Sequence, residues 1–326
     1  MDYDELIQLF KEGSYRALSR AISIVENKEP GFRKIIAEIS RTGGNGYIIG
    51  VTGPPGSGKS TLVNELAWGY RSIGKRVGII AVDPSSPFTG GAFLGDRVRM
   101  QRIATDKGIY IRSMASRGHL GGLSAAARNV SRLLDAFGFE IIIMETVGVG
   151  QSEVDIVKAA DTTIIVSVPG LGDDIQANKA GLMEIGNIFV INKADLTGVE
   201  RVEMELDKII KMAYHSASWK PPIIKTVASR GEGITELIEA ISKHERYLKD
   251  EGLFSQKRRG RIEEELVTLI SDHLFEHFSP KIEDKVSLKA LTDKIINHEL
   301  DLYSAAEAVV ESILKEKDKG GVKIET

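Results

Sequence analysis

The nine residues Gly53 to Thr61, GPPGSGKST, decide the fold. They fit G-x-x-x-x-G-K-[ST], follow the apolar run YIIGV (47–51) directly, and precede Leu62, Val63, Leu66, Tyr70 and Ile73 at helical spacing. A strand, a glycine-rich turn and a helix in that order form a phosphate-binding loop. Gly53, Gly56 and Gly58 let backbone N–H groups converge on phosphate oxygens, and the helix N-terminus adds positive partial charge. Pro54, Pro55 and Ser57 complete the cradle, Lys59 is placed to reach the β and γ phosphates, Ser60 offers a hydroxyl to Mg²⁺, and Thr61 closes the motif.

Working outward, RVGIIAV (76–82), FEIIIM (139–144), TTIIVSV (162–168), NIFVI (187–191) and PIIKTV (222–227) are uninterrupted Ile/Val-rich runs. Strands buried on both faces read this way, and the intervals suit crossover helices. The expected class is α/β: a P-loop NTPase with a mainly parallel sheet covered by helices. Residues 1–45 form an expected N-terminal helical extension, with Leu6, Ile7 and Phe10, then Leu18, Ile22 and Val25, at spacings of three and four. Residues 46–248 are the nucleotide-binding domain. Residues 249–326 carry helical stripes, including Ile262, Leu266, Leu269 and Ile270, and form a C-terminal helical region.

A P-loop does not select its base, but Asn-Lys-Ala occurs twice, at Asn178 and Asn192. The second copy ends a strand, where open α/β sheets bind ligands, and continues to Asp195. A carboxylate there accepts from guanine N1–H and from its exocyclic amine, whereas adenine has no such pair of donors. Asn192, Lys193 and Asp195 are therefore the expected base reader, with Lys193 along the purine face and Asn192 tying loops together. The first copy has Gly181 at the equivalent place and reads nothing.

Glu145 ends the strand FEIIIM and is followed by Thr-Val-Gly, so it is the expected acid beside Mg²⁺, and Gly148 can turn its N–H toward the γ-phosphate. Asp83 and Asp96 are further metal-approaching carboxylates; a helix cap or a solvated loop acid is the alternative for each. The expected catalytic set is Lys59, Asp96, Glu145 and Gly148, and the expected ligands are GTP or GDP with Mg²⁺.

With GPPGSGKST, VDPSSPFTGGAFLGDRVRM, ETVGVGQSE, GDDIQANKAGLMEIG and NKAD in this order, the chain resembles the MeaB/ArgK group of P-loop GTPases. The resemblance implies a GTPase chaperone that gates adenosylcobalamin loading and protection of methylmalonyl-CoA mutase or a related acyl-CoA mutase. It also implies a homodimer built on the C-terminal helices. By the same resemblance the loop bearing Asp83 and Asp96 is similar to switch I, and GDDIQANKAG to a third switch, which makes Asp174, Gln176 and Lys179 regulatory candidates. A helix start capped by Asp173 or Asp174 is the other reading of that stretch. The usual Ser-Ala-Lys loop is replaced by VASRGEG, in which Ala228 still offers an N–H to guanine O6.

Composition excludes other classes. The chain has 326 residues, 42% hydrophobic and 27% charged, with formal net charge -3 and no Cys. A deficit of positive charge argues against nucleic acid or anionic membrane as partner. Lack of Cys rules out disulfides, thiol nucleophiles and Cys-based metal sites. The opening MDYDELIQLF has no basic n-region or long apolar run, so a cytoplasmic protein is expected. His273 and His277 stand one helical turn apart but lack supporting ligands, and KRRGR (257–261) runs straight into Glu263, Glu264 and Glu265. The His pair reads as a solvated face, and KRRGR as a charged helix start. The alternatives are a kinase linked to amino-acid transport, which has no visible Asp-plus-Asn catalytic loop, and a nickel- or zinc-insertion GTPase, which would call for a His-rich tract or Cys motif.

Overall fold

The computed structural model describes residues 2–84, 106–116, 122–146, 158–170, 185–285 and 288–314. Seven strands form one sheet in the order β3-β2-β4-β1-β5-β6-β7, with every neighbouring pair parallel. They are β1 (Tyr47–Thr52), β2 (Val77–Pro84), β3 (Ile109–Ser116), β4 (Ile141–Thr146), β5 (Thr162–Ser167), β6 (Ile188–Asn192) and β7 (Ile223–Thr226). The register sets Val51 beside Glu145 and Thr52 beside Ile165. The ends of β1, β4 and β5 thereby meet around the P-loop, at the carboxyl edge where ligands bind in such sheets.

Six of these strands coincide with the apolar runs. The seventh, β3, pairs only with β2, at the sheet margin. Its sequence IYIRSMAS mixes Tyr110, Arg112 and Ser113 with apolar residues. Arg112 leaves the strand to pair with Glu26 and to reach Ser23 Oγ at 3.3 Å. An edge strand needs no continuous apolar run, so the signal used for the others passes it by.

Helices cover both faces. On one, α1 (Tyr3–Lys11), α2 (Tyr15–Glu26), α3 (Phe32–Ser40) and α5 (Gly122–Ala136) bury Leu6, Phe10, Leu18, Ile22, Ile35, Val130 and Leu134 against Ile80, Ile142 and Met144. Asp2 and Ser14 cap α1 and α2 through Asp4 N and Ala17 N. At roughly 1.5–3 kcal/mol for each fully buried Leu, Ile or Phe, this apolar face holds the three N-terminal helices onto the sheet. On the other face, α4 (Lys59–Ser72) and α7 (Ile234–Asp250) bury Leu62, Leu66, Leu237 and Ile241 against Ile49, Val51, Ile79 and Ile164. Near β6, α6 (Val199–Ala213) adds Val202 and Leu206 over Phe189 and Ile191.

The chain divides into two compact units, Met1–Arg258 and Arg259–Thr326, so α1 to α3 share a unit with the sheet. The second unit holds most of α8 (Leu253–Lys285), with α9 (Leu288–Ile296) and α10 (Leu302–Leu314). Its helices expose Ile262, Leu266, Leu269, Ile270 and Phe275. His273 is also exposed, with Glu276 3.9 Å from its ring. Among the described residues no helix is long and apolar enough to cross a membrane.

Candidate functional site

Lys59 opens α4 and is 6% exposed, with its ammonium donating to Gly53 O at 2.8 Å and Pro54 O at 2.9 Å. The cation thus lies inside the curve of its own loop, where a phosphate group would lie. Two glycines set that curve. At Gly53, φ +147, a Cβ would come 2.2 Å from Val166 O; at Gly58, φ +84, it would come 2.5 Å from Asn192 Nδ2. Neither place admits a side chain.

Ser60 Oγ donates to Glu145 Oε1 at 2.6 Å. Glu145 is 5% exposed at the end of β4, and beside it Thr146 Oγ1 donates to Thr52 Oγ1 at 3.1 Å. A hydroxyl next to a carboxylate is an all-oxygen donor set of the kind Mg²⁺ takes, so the residues present fit that ion.

Asn192 is a joint between loops. Its Nδ2 donates to Ser57 O at 2.8 Å, while its Oδ1 accepts from Ala228 N and from Thr226 Oγ1, both at 3.1 Å. One buried amide therefore ties the P-loop, the end of β6 and the turn after β7. Lys193 adopts φ +56 and donates from Nζ to Gly56 O at 2.8 Å. A cavity of 240 Å³ opens beside them, lined by Gly58, Thr61, Asn192, Lys193, Asp195, Leu196, Val227, Ala228 and Ser229. Its walls combine the polar Thr61, Asn192, Lys193, Asp195 and Ser229 with the apolar Leu196, Val227 and Ala228, a mixture that suits a purine.

Lys59, Ser60, Glu145, Asn192, Lys193, Asp195 and Ala228 are thus gathered at one edge of the sheet. Asp83 lies at the end of β2 with its backbone beside Ala115; its side chain is outside the described residues, as are Asp96, Gly148, Asp174, Gln176 and Lys179. Sequence reasoning missed Arg230, whose Nη2 donates to Asp195 Oδ2 at 3.3 Å. The signal was present in VASRGEG, where arginine stands two residues after Ala228. Among the described residues no group of three or more His, Cys, Asp or Glu is arranged to hold a metal ion.

Comparison with known proteins places this geometry among relatives. The family profile described as methylmalonyl Co-A mutase-associated GTPase MeaB matches residues 18–283. A Pyrococcus horikoshii protein is 50% identical over 315 residues, covering 95% of this chain and 98% of that one. The GTPase ArgK of Escherichia coli is 35% identical over 286 residues, covering 84% and 85%. Among solved structures, one described as a LAO/AO transport system kinase superposes with a TM-score of 0.73 at 27% identity, covering 95% of this chain and 97% of that one.

Proposed function

The chain belongs to the MeaB family of methylmalonyl-CoA mutase-associated GTPases, and from that premise we propose that it hydrolyses GTP with Mg²⁺ to control cofactor loading and protection of an adenosylcobalamin-dependent acyl-CoA mutase. The observation that carries the nucleotide half is the Asn192 joint, which sets the cavity lined by Asp195 against the P-loop.

In this reading the purine enters the cavity with its N1–H and 2-amino group toward the Asp195 carboxylate, and Ala228 N–H lies near O6. Lys59 exchanges its loop carbonyls for phosphate oxygens, a charge-assisted contact in place of two neutral ones. Ser60 and Glu145 would hold Mg²⁺, which when bound neutralises charge on the β and γ phosphate oxygens. Water attacks the γ-phosphorus, the bond from it to the β–γ bridging oxygen breaks, and GDP and phosphate leave with the water's proton passed to phosphate or solvent. Lys59 and the backbone of the P-loop hold the transferring group in line while this occurs.

Control belongs to the partner. Val149 follows Gly148 where small signalling GTPases carry a water-orienting Gln, so turnover by the chain alone is slow. The mutase supplies the missing order through residues 172–181, with Asp174, Gln176 and Lys179 as its contacts. The apolar stripe of the second unit, Ile262, Leu266, Leu269 and Ile270, is exposed in the single chain and is covered by a second copy in a homodimer.

The experiment is GTP turnover with and without an adenosylcobalamin-dependent acyl-CoA mutase, for the parent and for Lys179→Ala. Slow parent turnover raised by the mutase, with the variant binding GTP normally but losing stimulation, is expected. Fast turnover alone, or full stimulation of the variant, rejects the control scheme. The kinase reading predicts instead that phosphate leaves GTP for a protein or small-molecule acceptor rather than for water.

A further inference from the structure

We propose that Arg230 is a positioning residue for the base reader: from the turn after β7 it holds the Asp195 carboxylate in the orientation a guanine edge requires. This rests on Asp195 being the guanine acceptor.

Arg230 ends the short 3₁₀ turn Ala228–Arg230. Its backbone is fixed, because Arg230 N donates to Val227 O at 2.9 Å while Val227 and Glu232 exchange bonds at 3.1 and 3.3 Å. Ala228 of the same turn is bonded to Asn192, three residues before Asp195. The bases of both side chains are therefore tied to one frame. From this turn Arg230 Nη2 reaches Asp195 Oδ2 at 3.3 Å, and Glu232 Oε1 lies 3.9 Å from Nη1. Acid on either side keeps the guanidinium near this line.

Positioning is favoured over competition by a count of lone pairs. A carboxylate accepts at about four lone-pair sites; guanine uses two, and the single contact from Arg230 uses one. The arginine can stay while the base binds. The Asp195 side chain is 34% exposed, so without a partner its rotation would be frozen only on binding, at a cost to affinity. The benefit is small, since the arginine is 61% exposed and the pair is screened.

The test is calorimetric titration of the full chain with GDP, IDP and ADP, for the parent, Arg230→Ala and Arg230→Lys, between about 0.05 and 0.5 M salt. IDP lacks the 2-amino group. Arg230→Ala should weaken GDP about two- to fivefold, the range of an exposed ion pair, and IDP less, so the GDP/IDP ratio narrows. Arg230→Lys should restore part of it, and the parent's advantage should fade at high salt. With a guanine-selective parent, unchanged or tighter GDP binding in Arg230→Ala, or equal losses for GDP and IDP, overturns the positioning role alone. A parent that binds ADP as well as GDP overturns the Asp195 reading and this inference together.

Discussion

Ser60 and Glu145, 85 residues apart in sequence, share a 2.6 Å hydrogen bond that joins the first turn of α4 to the end of β4. Because the hydroxyl proton points at the carboxylate, the remaining serine lone pairs face away from it and are open to a cation. Ser60→Ala and Glu145→Gln should therefore cut the Mg²⁺-dependent part of GTP affinity by about tenfold or more, the scale of a charge-assisted contact. GTP titrations with Mg²⁺ and with EDTA separate the effects. Equal losses in both conditions would point to a damaged P-loop rather than a cation site.

Lys59 is held by two carbonyls of its own loop, and its ammonium is poised where phosphate charge would arrive. Lys59→Ala should cost roughly 1.5–3 kcal/mol of triphosphate binding, with turnover falling further. Near-normal hydrolysis by that variant would end the P-loop reading.

Asp195→Asn replaces an acceptor pair by one acceptor and one donor while keeping the size of the side chain. GTP should weaken by roughly 1.5–3 kcal/mol, the worth of hydrogen bonds to a charged group. Xanthosine triphosphate, whose C2 carbonyl suits the new amide donor, should bind better than to the parent. Competition binding against labelled GDP reads both; equal competition by ATP in the parent would remove Asp195 as the reader.

Legibility in the sequence followed the range of the interactions. Apolar runs and the GPPGSGKST context are local, so six strands and the P-loop could be read directly. Asn192 and Asp195 were readable because one strand end brings them together. Arg230 was not, because its partner lies 35 residues away in the sequence. Arg258 read as part of a charged helix start, yet its Nη2 donates to Gly46 O at 2.6 Å and pairs at 3.1 Å with Asp161, which is 1% exposed. No periodicity announces a bond spanning 212 positions. The packing of α1 to α3 onto the sheet face was likewise invisible, since an amphipathic helix shows that it has an apolar face but not what covers it.

A buried polar chain lies at the opposite edge of the sheet, where β1 and β5 begin. Thr162 Oγ1 lies 2.7 Å from His244 Nδ1 and 2.5 Å from the Tyr47 hydroxyl, and the Trp219 ring packs against the imidazole at a tilt, with centroids 4.7 Å apart. His244 is 1% exposed. Burial first, and the nearby positive charge of Lys257 second, hold its pKa down to about 3, against a weaker opposing pull from Asp161. In the unfolded chain an imidazole titrates near about 6.5. Above that pH both states are neutral and the group adds no pH dependence. Between about 6.5 and 3 the unfolded chain binds a proton that the folded one refuses, so stability falls with falling pH, by about 1.4 kcal/mol per unit at most. His244→Gln removes this titration and costs about 1 kcal/mol at neutral pH through the altered hydrogen bond. Carboxylates also titrate at the lower end, but they do so in both proteins and subtract out. Urea unfolding followed by tryptophan fluorescence reports on the unit that contains Trp68 and Trp219. The parent's advantage over the variant at pH 7 should shrink and then reverse as the pH is lowered to 5, whereas an advantage that stays constant over that range would mean that His244 takes up its proton without leaving the fold.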